Sequence, residues 1–281
     1  MKISKKDFEN ALREVILPSD RVFVVHSALW VFGNQLDIPI DKIPETILEM
    51  LLSIAGSNGT LIIPTFTYSV FPRTRFFDHI KTRSQTGVLG EKLLKMPGAF
   101  RSMSPMESFA VIGKHAREFA ELNGKSEWGD GSTWEWLENV NARTIGLGLP
   151  LHKSVSIVHR PEETARVSYR YYKVFKGVWC DGKADQKEWR SVNYVRALPA
   201  MMNYFPVEER LFAENLALKP RLSEITIHSA LSRDIIKVTL ELLKEDEFIF
   251  IANKDEMKEW LKNGKEREIS SLKPEERYSG E

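Results

Sequence analysis

Arg21-Val-Phe-Val-Val-His26 and Thr60-Leu-Ile-Ile63, with a helical pattern between them, decide the fold. Both runs are short, apolar and rich in β-branched residues, the mark of strands buried on both faces. Between them Asp41 opens a helix whose Ile43, Ile47, Met50, Leu51 and Ile54 share one face, and Gly56 stops it. Strand, helix, strand in this order predicts a parallel pair joined by a right-handed crossover.

Working outward, Ser4 and Asp7 form a helix-opening pair, Phe8, Leu12 and Val15–Ile16 recur on one face, and Pro18 ends that helix. Downstream, a loop rich in aromatic and basic residues runs from Phe66 to Ser84, and Thr86 caps a short helix through Leu94. Ser108–Ile112 and Arg143–Leu147 read as a third and a fourth strand, with Ser132 capping a helix between them. Further strands are expected at Glu188–Val195, Ile225–Ser229 and Phe248–Ile251, and helices at Glu208–Leu216 and from Ser232 to Lys244. The expected fold class is α/β: three layers, α/β/α, a mostly parallel central sheet and a smaller mixed C-terminal layer. One domain is expected over residues 1–281, with its core at 20–180, the mixed layer at 181–252 and a charged tail at 253–281.

Composition narrows the function. Hydrophobic residues make up 42% and charged residues 28% of 281, ordinary for a globular protein. Forty basic against 39 acidic residues give a net charge of +1, which leaves no electrostatic footprint for nucleic acid or an anionic membrane. A single cysteine, Cys180, excludes an intrachain disulfide framework and any multi-cysteine metal centre. The six histidines never stand at metal-ligand spacing with a carboxylate cluster, so no metal is expected. Neither a signal-peptide core nor a membrane span is visible, and a cytoplasmic location is expected. Dinucleotide, P-loop and nucleophile-elbow motifs are absent.

Four segments carry candidate chemistry. His26-Ser-Ala-Leu29 lies at the carboxyl end of the first strand, where open α/β sheets bind ligands. Its amides and Ser27 can hold a pyrophosphate, or Ser27 can simply cap a turn. Thr65, Thr67 and Tyr68 follow the second strand and offer three hydroxyls to a ligand or to a hydrogen-bonded turn. Arg101-Ser-Met-Ser-Pro-Met-Glu-Ser108 brings a fixed cation, Glu107 and Ser108 to the start of the third strand. In Ser156–Glu163, His159 and Glu162 stand at i and i+3, so a helix places them on one face. There a carboxylate can orient an imidazole as a general base. An isolated surface pair has the same spacing.

Taken in order, HSAL (26–29), GTLIIPTFTYS (59–69), TGVLGEKLLKMPGAFRSMSPMESFAVIG (86–113), HRPE (159–162) and YRYYKVFKG (169–177) resemble the aminoglycoside 3-N-acetyltransferase family over roughly residues 20–180. The TFTYS and YRYYK tracts look most like members associated with bacterial surface-polysaccharide clusters. The resemblance implies acetyl-CoA as donor, an aminosugar or aminoglycoside amine as acceptor, and no metal. It implies catalytic His159 and Glu162. It also implies coenzyme contacts at His26, Ser27, Ala28, Leu29, Thr65, Arg101, Ser102, Ser108 and Phe109, and acceptor contacts at Tyr68, Glu107, Asp130 and Glu163. A homodimer stays open.

The chain departs from the family pattern at Ser104 and Glu107, where members carry histidine, and at Pro161. A proline inside HRPE requires the helix to begin near Val158 or His159. The mechanism implied is direct attack of a neutral amine on the thioester, with His159 taking the proton. The competing expectation is a non-catalytic coenzyme A-binding or scaffold protein.

Overall fold

The computed structural model describes residues 2–68, 73–182 and 185–279. Ser69, the last residue of GTLIIPTFTYS, and part of the expected Phe66–Ser84 loop lie outside the described residues. In chain order the first elements are α1 (Lys5–Val15), β1 (Val22–Ser27), α2 (Ile43–Ala55), β2 (Thr60–Pro64), β3 (Phe76–Asp78), α3 (Val88–Leu93), β4 (Phe100–Arg101) and β5 (Phe109–Gly113). They continue with α4 (Ala116–Ala120), α5 (Thr133–Asn139), β6 (Arg143–Leu147), α6 (His159–Thr164), β7 (Arg170–Cys180) and β8 (Gln186–Arg196). The last are α7 (Phe205–Ala213), β9 (Ala217–Leu218), β10 (Ile227–Leu231), α8 (Ser232–Glu245) and α9 (Lys254–Ser271).

The seven-stranded sheet has the order β4-β5-β2-β1-β6-β10-β9. At its centre β2, β1 and β6 run parallel, with Val24 opposite Ile62 and Val25 opposite Ile145. Alternation along β1 feeds both faces of the sheet. Phe23 and Val25 pack with Phe8 and Leu12 of α1 and Ile47 and Leu51 of α2. Val22 and Val24 pack with Trp134 of α5 and Ile235 and Val238 of α8. The sheet is thus sandwiched between helical layers, as the fold class requires. Within this sheet, parallel pairing is confined to the three central strands. The third expected strand, β5, joins antiparallel to β2, and β10 joins antiparallel to β6, so the sheet as a whole is mixed. A smaller sheet, β3-β7-β8, carries an eleven-residue antiparallel ladder between β7 and β8.

Several local expectations shift. Ser4 and Ser132 cap α1 and α5 by accepting from the amides of Asp7 and Glu135. Gly87, not Thr86, precedes α3, because the Thr86 hydroxyl is engaged by the carbonyl of Pro64 and the amide of Phe66. Ser232 lies inside α8 and donates to the carbonyl of Ala142. The run at Phe248–Ile251 forms turns with one isolated bridge, Met202 to Ile251, in place of a strand. Its apolarity comes from burial of Phe250 and Ile251 in the core. Among the described residues no helix is long and apolar enough to cross a membrane.

Candidate active site

Three parallel strands deliver their carboxyl ends to one side of the sheet. From β1 come His26 and Ser27, from β2 the stretch Pro64–Tyr68, and from β6 the turn leading to Ser156. Gly148, at φ 73°, makes their close approach possible: a Cβ there would stand 2.6 Å from the Val31 side chain and 2.7 Å from the Ala28 carbonyl. These ends, with Gln85–Val88, line a cleft of about 500 Å³ containing His26, Ser27, Ala28, Leu29 and Tyr68, with Trp30 exposed beside it. Burial holds His26 down at about 4, so it stays a neutral imidazole at pH 7. The Ala28 amide is spent on the Leu147 carbonyl, which leaves the Ser27 hydroxyl as the polar side chain of this turn.

A second cavity of about 260 Å³ adjoins the first, sharing Lys153 and Ser156 with it. His152, Val155, Val158, His159, Met202 and Tyr204 complete its lining. α6 begins at His159, so Pro161 is its third residue, in the first turn, where its missing N–H costs nothing. One turn on, fully buried Glu162 places Oε2 2.7 Å from His159 Nδ1. With Nδ1–H donating to that carboxylate, the lone pair lies on Nε2. The ring is three-quarters buried, edge-on to Trp128 at 4.6 Å and to Tyr204 at 5.6 Å between centroids.

Arg170 lies beside the pair, its Nη2 2.9 Å from His159 Nδ1, 3.0 Å from Glu162 Oε2 and 3.1 Å from the Tyr204 hydroxyl. Tyr169 donates to Glu162 Oε1 at 2.9 Å. Burial and the Arg170 charge together hold His159 below its ordinary range, against the upward pull of Glu162. Burial would raise Glu162, but Arg170, His159 and Tyr169 outweigh it and keep the carboxylate ionised. The result is an imidazole kept neutral, with its tautomer set and one nitrogen left for a cavity.

Other expected contacts fall elsewhere. Thr65, Arg101, Ser102, Ser108 and Phe109 are all buried, and none lines either cavity. Arg101 donates to Ser108 Oγ at 3.0 Å and to the carbonyls of Thr82 and Thr65 at 2.6 and 3.1 Å, with its guanidinium over Phe77. Thr65 donates to the Ser108 carbonyl, Ser102 accepts from the Phe109 amide, and the Phe109 ring packs on Phe66 and Trp134. Within the fold they form a clamp holding β4 and β5 to the end of β2, through hydrogen bonds among themselves and to neighbouring carbonyls.

Of the expected acceptor residues, Tyr68 lines the first cleft, half-exposed. Glu107 is buried and accepts from the Trp134 indole, and burial pushes its carboxyl well up, with Glu127 adding to the effect. Glu163 is buried and accepts from Ser126 at 2.6 Å and Tyr172 at 2.9 Å. Asp130 is exposed and lines neither cavity. Glu107 and Glu163 are thus interior acids and Asp130 a surface acid. Ser104 accepts from the amides of Met106 and Glu107, a turn-forming role.

Sequence reasoning missed Arg170, Tyr204 and Trp128 at the histidine. YRYYK did show an arginine among tyrosines, but nothing local said that it turns back on HRPE. Among the described residues no group of three or more histidine, cysteine or acidic side chains could hold a metal.

The strand-end cleft lies where open α/β sheets bind ligands. The model of the aminoglycoside 3-N-acetyltransferase family matches residues 24–244, and the chain belongs to that family. It is 24% identical over 208 residues to aminoglycoside N(3)-acetyltransferase III of Salmonella sp, covering 68% of this chain and 70% of that protein. It is 27% identical over 215 residues to aminoglycoside N(3)-acetyltransferase IX of Micromonospora chalcea, covering 68% and 73%. The fold is shared with AAC-IIIb solved as a binary complex with CoASH, at TM-score 0.73 and 17% identity over 90% of this chain and 99% of that one. It is shared too with apo AAC(3)-IVa, at TM-score 0.71 and 18% identity over 91% and 94%.

Proposed function

We propose that this protein transfers the acetyl group of acetyl-CoA directly to an amino group of an aminosugar or aminoglycoside, with His159 as general base. The observation that carries the reading is the 2.7 Å contact between His159 Nδ1 and Glu162, at a cavity that adjoins the strand-end cleft. Sugar amines are largely ammonium at pH 7, and the attacking form is the neutral amine. His159 Nε2 takes its proton as the C–N bond forms, a contribution typically worth about 10²–10⁴ in rate. Glu162 keeps the ring in the right tautomer and stabilises the imidazolium that forms. Ser27, Leu29 and Val88 give the cleft polar and apolar walls suited to a pantetheine chain, and Lys153 offers a cation where cleft and cavity meet. The AAC-IIIb complex with CoASH, on the same fold, supports the choice of donor.

The scaffold reading loses its motives: Pro161 fits the first turn of α6, and Ser104 forms its own turn. A thiol-release assay with acetyl-CoA against aminosugars and aminoglycosides tests the proposal. Turnover with at least one amine, lost in His159→Ala, is the expected result. Coenzyme binding without turnover across the panel would restore the scaffold reading.

A further inference from the structure

The cavity that holds His159 has a second histidine–carboxylate pair on its wall. His152, in the short 3₁₀ turn Leu151–Lys153, sets Nδ1 2.8 Å from Oε2 of Glu208 on α7. The same oxygen accepts from the His152 amide at 2.7 Å, so the carboxylate is fixed to both ring and backbone. The side chains are only 18% and 13% exposed, and the ring stands edge-on to Phe205 at 5.4 Å. The construction resembles that at His159: Nδ1 held by a carboxylate, an aromatic ring at the side, Nε2 left over. Lys153, the next residue, borders both the cavity and the strand-end cleft, so His152 stands beside the point where the two meet.

Direct acetyl transfer moves two protons. One must leave the amine, and one must reach the departing sulfur. His159 can accept the first; at His152, Glu208 holds Nδ1, which leaves Nε2 to deliver the second. We propose that His152, supported by Glu208, is the general acid that protonates the leaving thiolate. The C–N bond forms and His159 Nε2 takes the amine proton. The C–S bond then breaks, its electron pair stays on sulfur, and the proton on His152 Nε2 passes to that sulfur to give the neutral thiol. His159 returns its proton to solvent and His152 regains one from solvent, so the cycle closes without a further reagent.

This inference rests on the transferase reading, and a comparison of donors separates the two. Acetyl-CoA leaves as an alkyl thiolate that needs a proton, whereas S-acetyl-4-nitrothiophenol leaves as a stable aryl thiolate that does not. With gentamicin and 2-amino-2-deoxyglucose as amine probes, His152→Gln is expected to slow turnover of acetyl-CoA about 100-fold. It should slow turnover of the aryl donor less than about threefold, while His159→Ala slows both. Glu208→Gln, which keeps the His152 ring, should show the same donor-dependent split at smaller size, and it carries the test if His152→Gln melts early. Equal slowing with both donors would overturn the role of His152 and leave His159 as base. No thiol release by the unmodified protein with any amine of the panel would overturn both readings.

Discussion

Two buried polar networks lie at the same end of the sheet and behave in opposite ways. Around Arg101, each hydrogen bond of the guanidinium ends on a carbonyl or a hydroxyl of the fold, and the residues it joins line neither cavity. Around His159, a carboxylate, a guanidinium and two tyrosine hydroxyls also crowd together, but the ring remains on the wall of a cavity. A network whose donors are all spent within the fold holds segments in place. One that leaves a single titratable nitrogen at open space, with its protonation set by neighbours, can do chemistry. Both motifs carry a basic residue near a strand end, so residue type alone does not separate them.

The strongest way to break the contrast is to exchange the consequences. His159→Ala should cost about 10²–10⁴ in turnover, with melting little changed, because the ring makes no buried bond that a neighbour depends on for its only partner. Arg101→Met should do the reverse. It strands the part-buried carbonyls of Thr82 and His79, while that of Thr65 keeps the Ser108 hydroxyl, at about 1–3 kcal/mol for each group left unpaired. Denaturant melts should show a loss of several kcal/mol, and turnover per folded molecule should survive. A stable Arg101→Met protein with weakened coenzyme binding would reverse the assignment and return Arg101 to the coenzyme.

A third measurement sharpens the contrast through a buried acid that lines neither of the two cavities, Glu127. Burial raises Glu127 to about 7 against hydrogen bonds from Ser104 and Ser191, with the charge of Glu163 adding to the rise. A carboxyl raised on folding contributes stability below its unfolded value near 4.5, and that contribution is lost as pH climbs through about 7. Glu127→Gln removes the ionisation. Relative to the unmodified protein, the variant should gain on the order of 3 kcal/mol between about pH 4 and pH 8, read by urea melts at each pH. A difference that does not vary with pH would mean that Glu127 ionises freely.

How far the sequence reached follows from the range of each interaction. β1, α2 and β2 were legible because runs such as Val22–Val25 are buried on both faces and need no partner to be recognised. The direction of β5 was not, since Phe-Ala-Val-Ile reads alike whichever way its neighbour runs. β7 was hidden because charged and aromatic residues interrupt its alternation. His159 and Glu162 were visible as a pair because three residues of helix fix their geometry. Arg170 and Tyr204 reach the same ring from 11 and 45 residues away, through tertiary contacts that no local pattern encodes. Arg101 was visible as a cation, but the carbonyls it binds were not.

The finest test asks whether Arg170 belongs to the closed kind of network or the open kind. Its guanidinium contacts Glu162 and the His159 ring together, so it can hold the carboxylate in place and also oppose the imidazolium. If it only holds, Arg170→Met should lower stability and turnover alike at every pH. If it also tunes the base, its removal lets Glu162 stabilise a protonated His159, and the ring titrates higher. The sign is fixed: a raised histidine is protonated, and lost as a base, at a pH where the unmodified ring is still neutral. The acid limb of the rate profile should therefore move upward, with about three- to tenfold less activity near pH 6 than the loss near pH 8 accounts for. Rates of both proteins across that range, on samples shown to be folded at each pH, decide it. An unmoved limb would make Arg170 a tether, and burial alone would then account for the neutral imidazole.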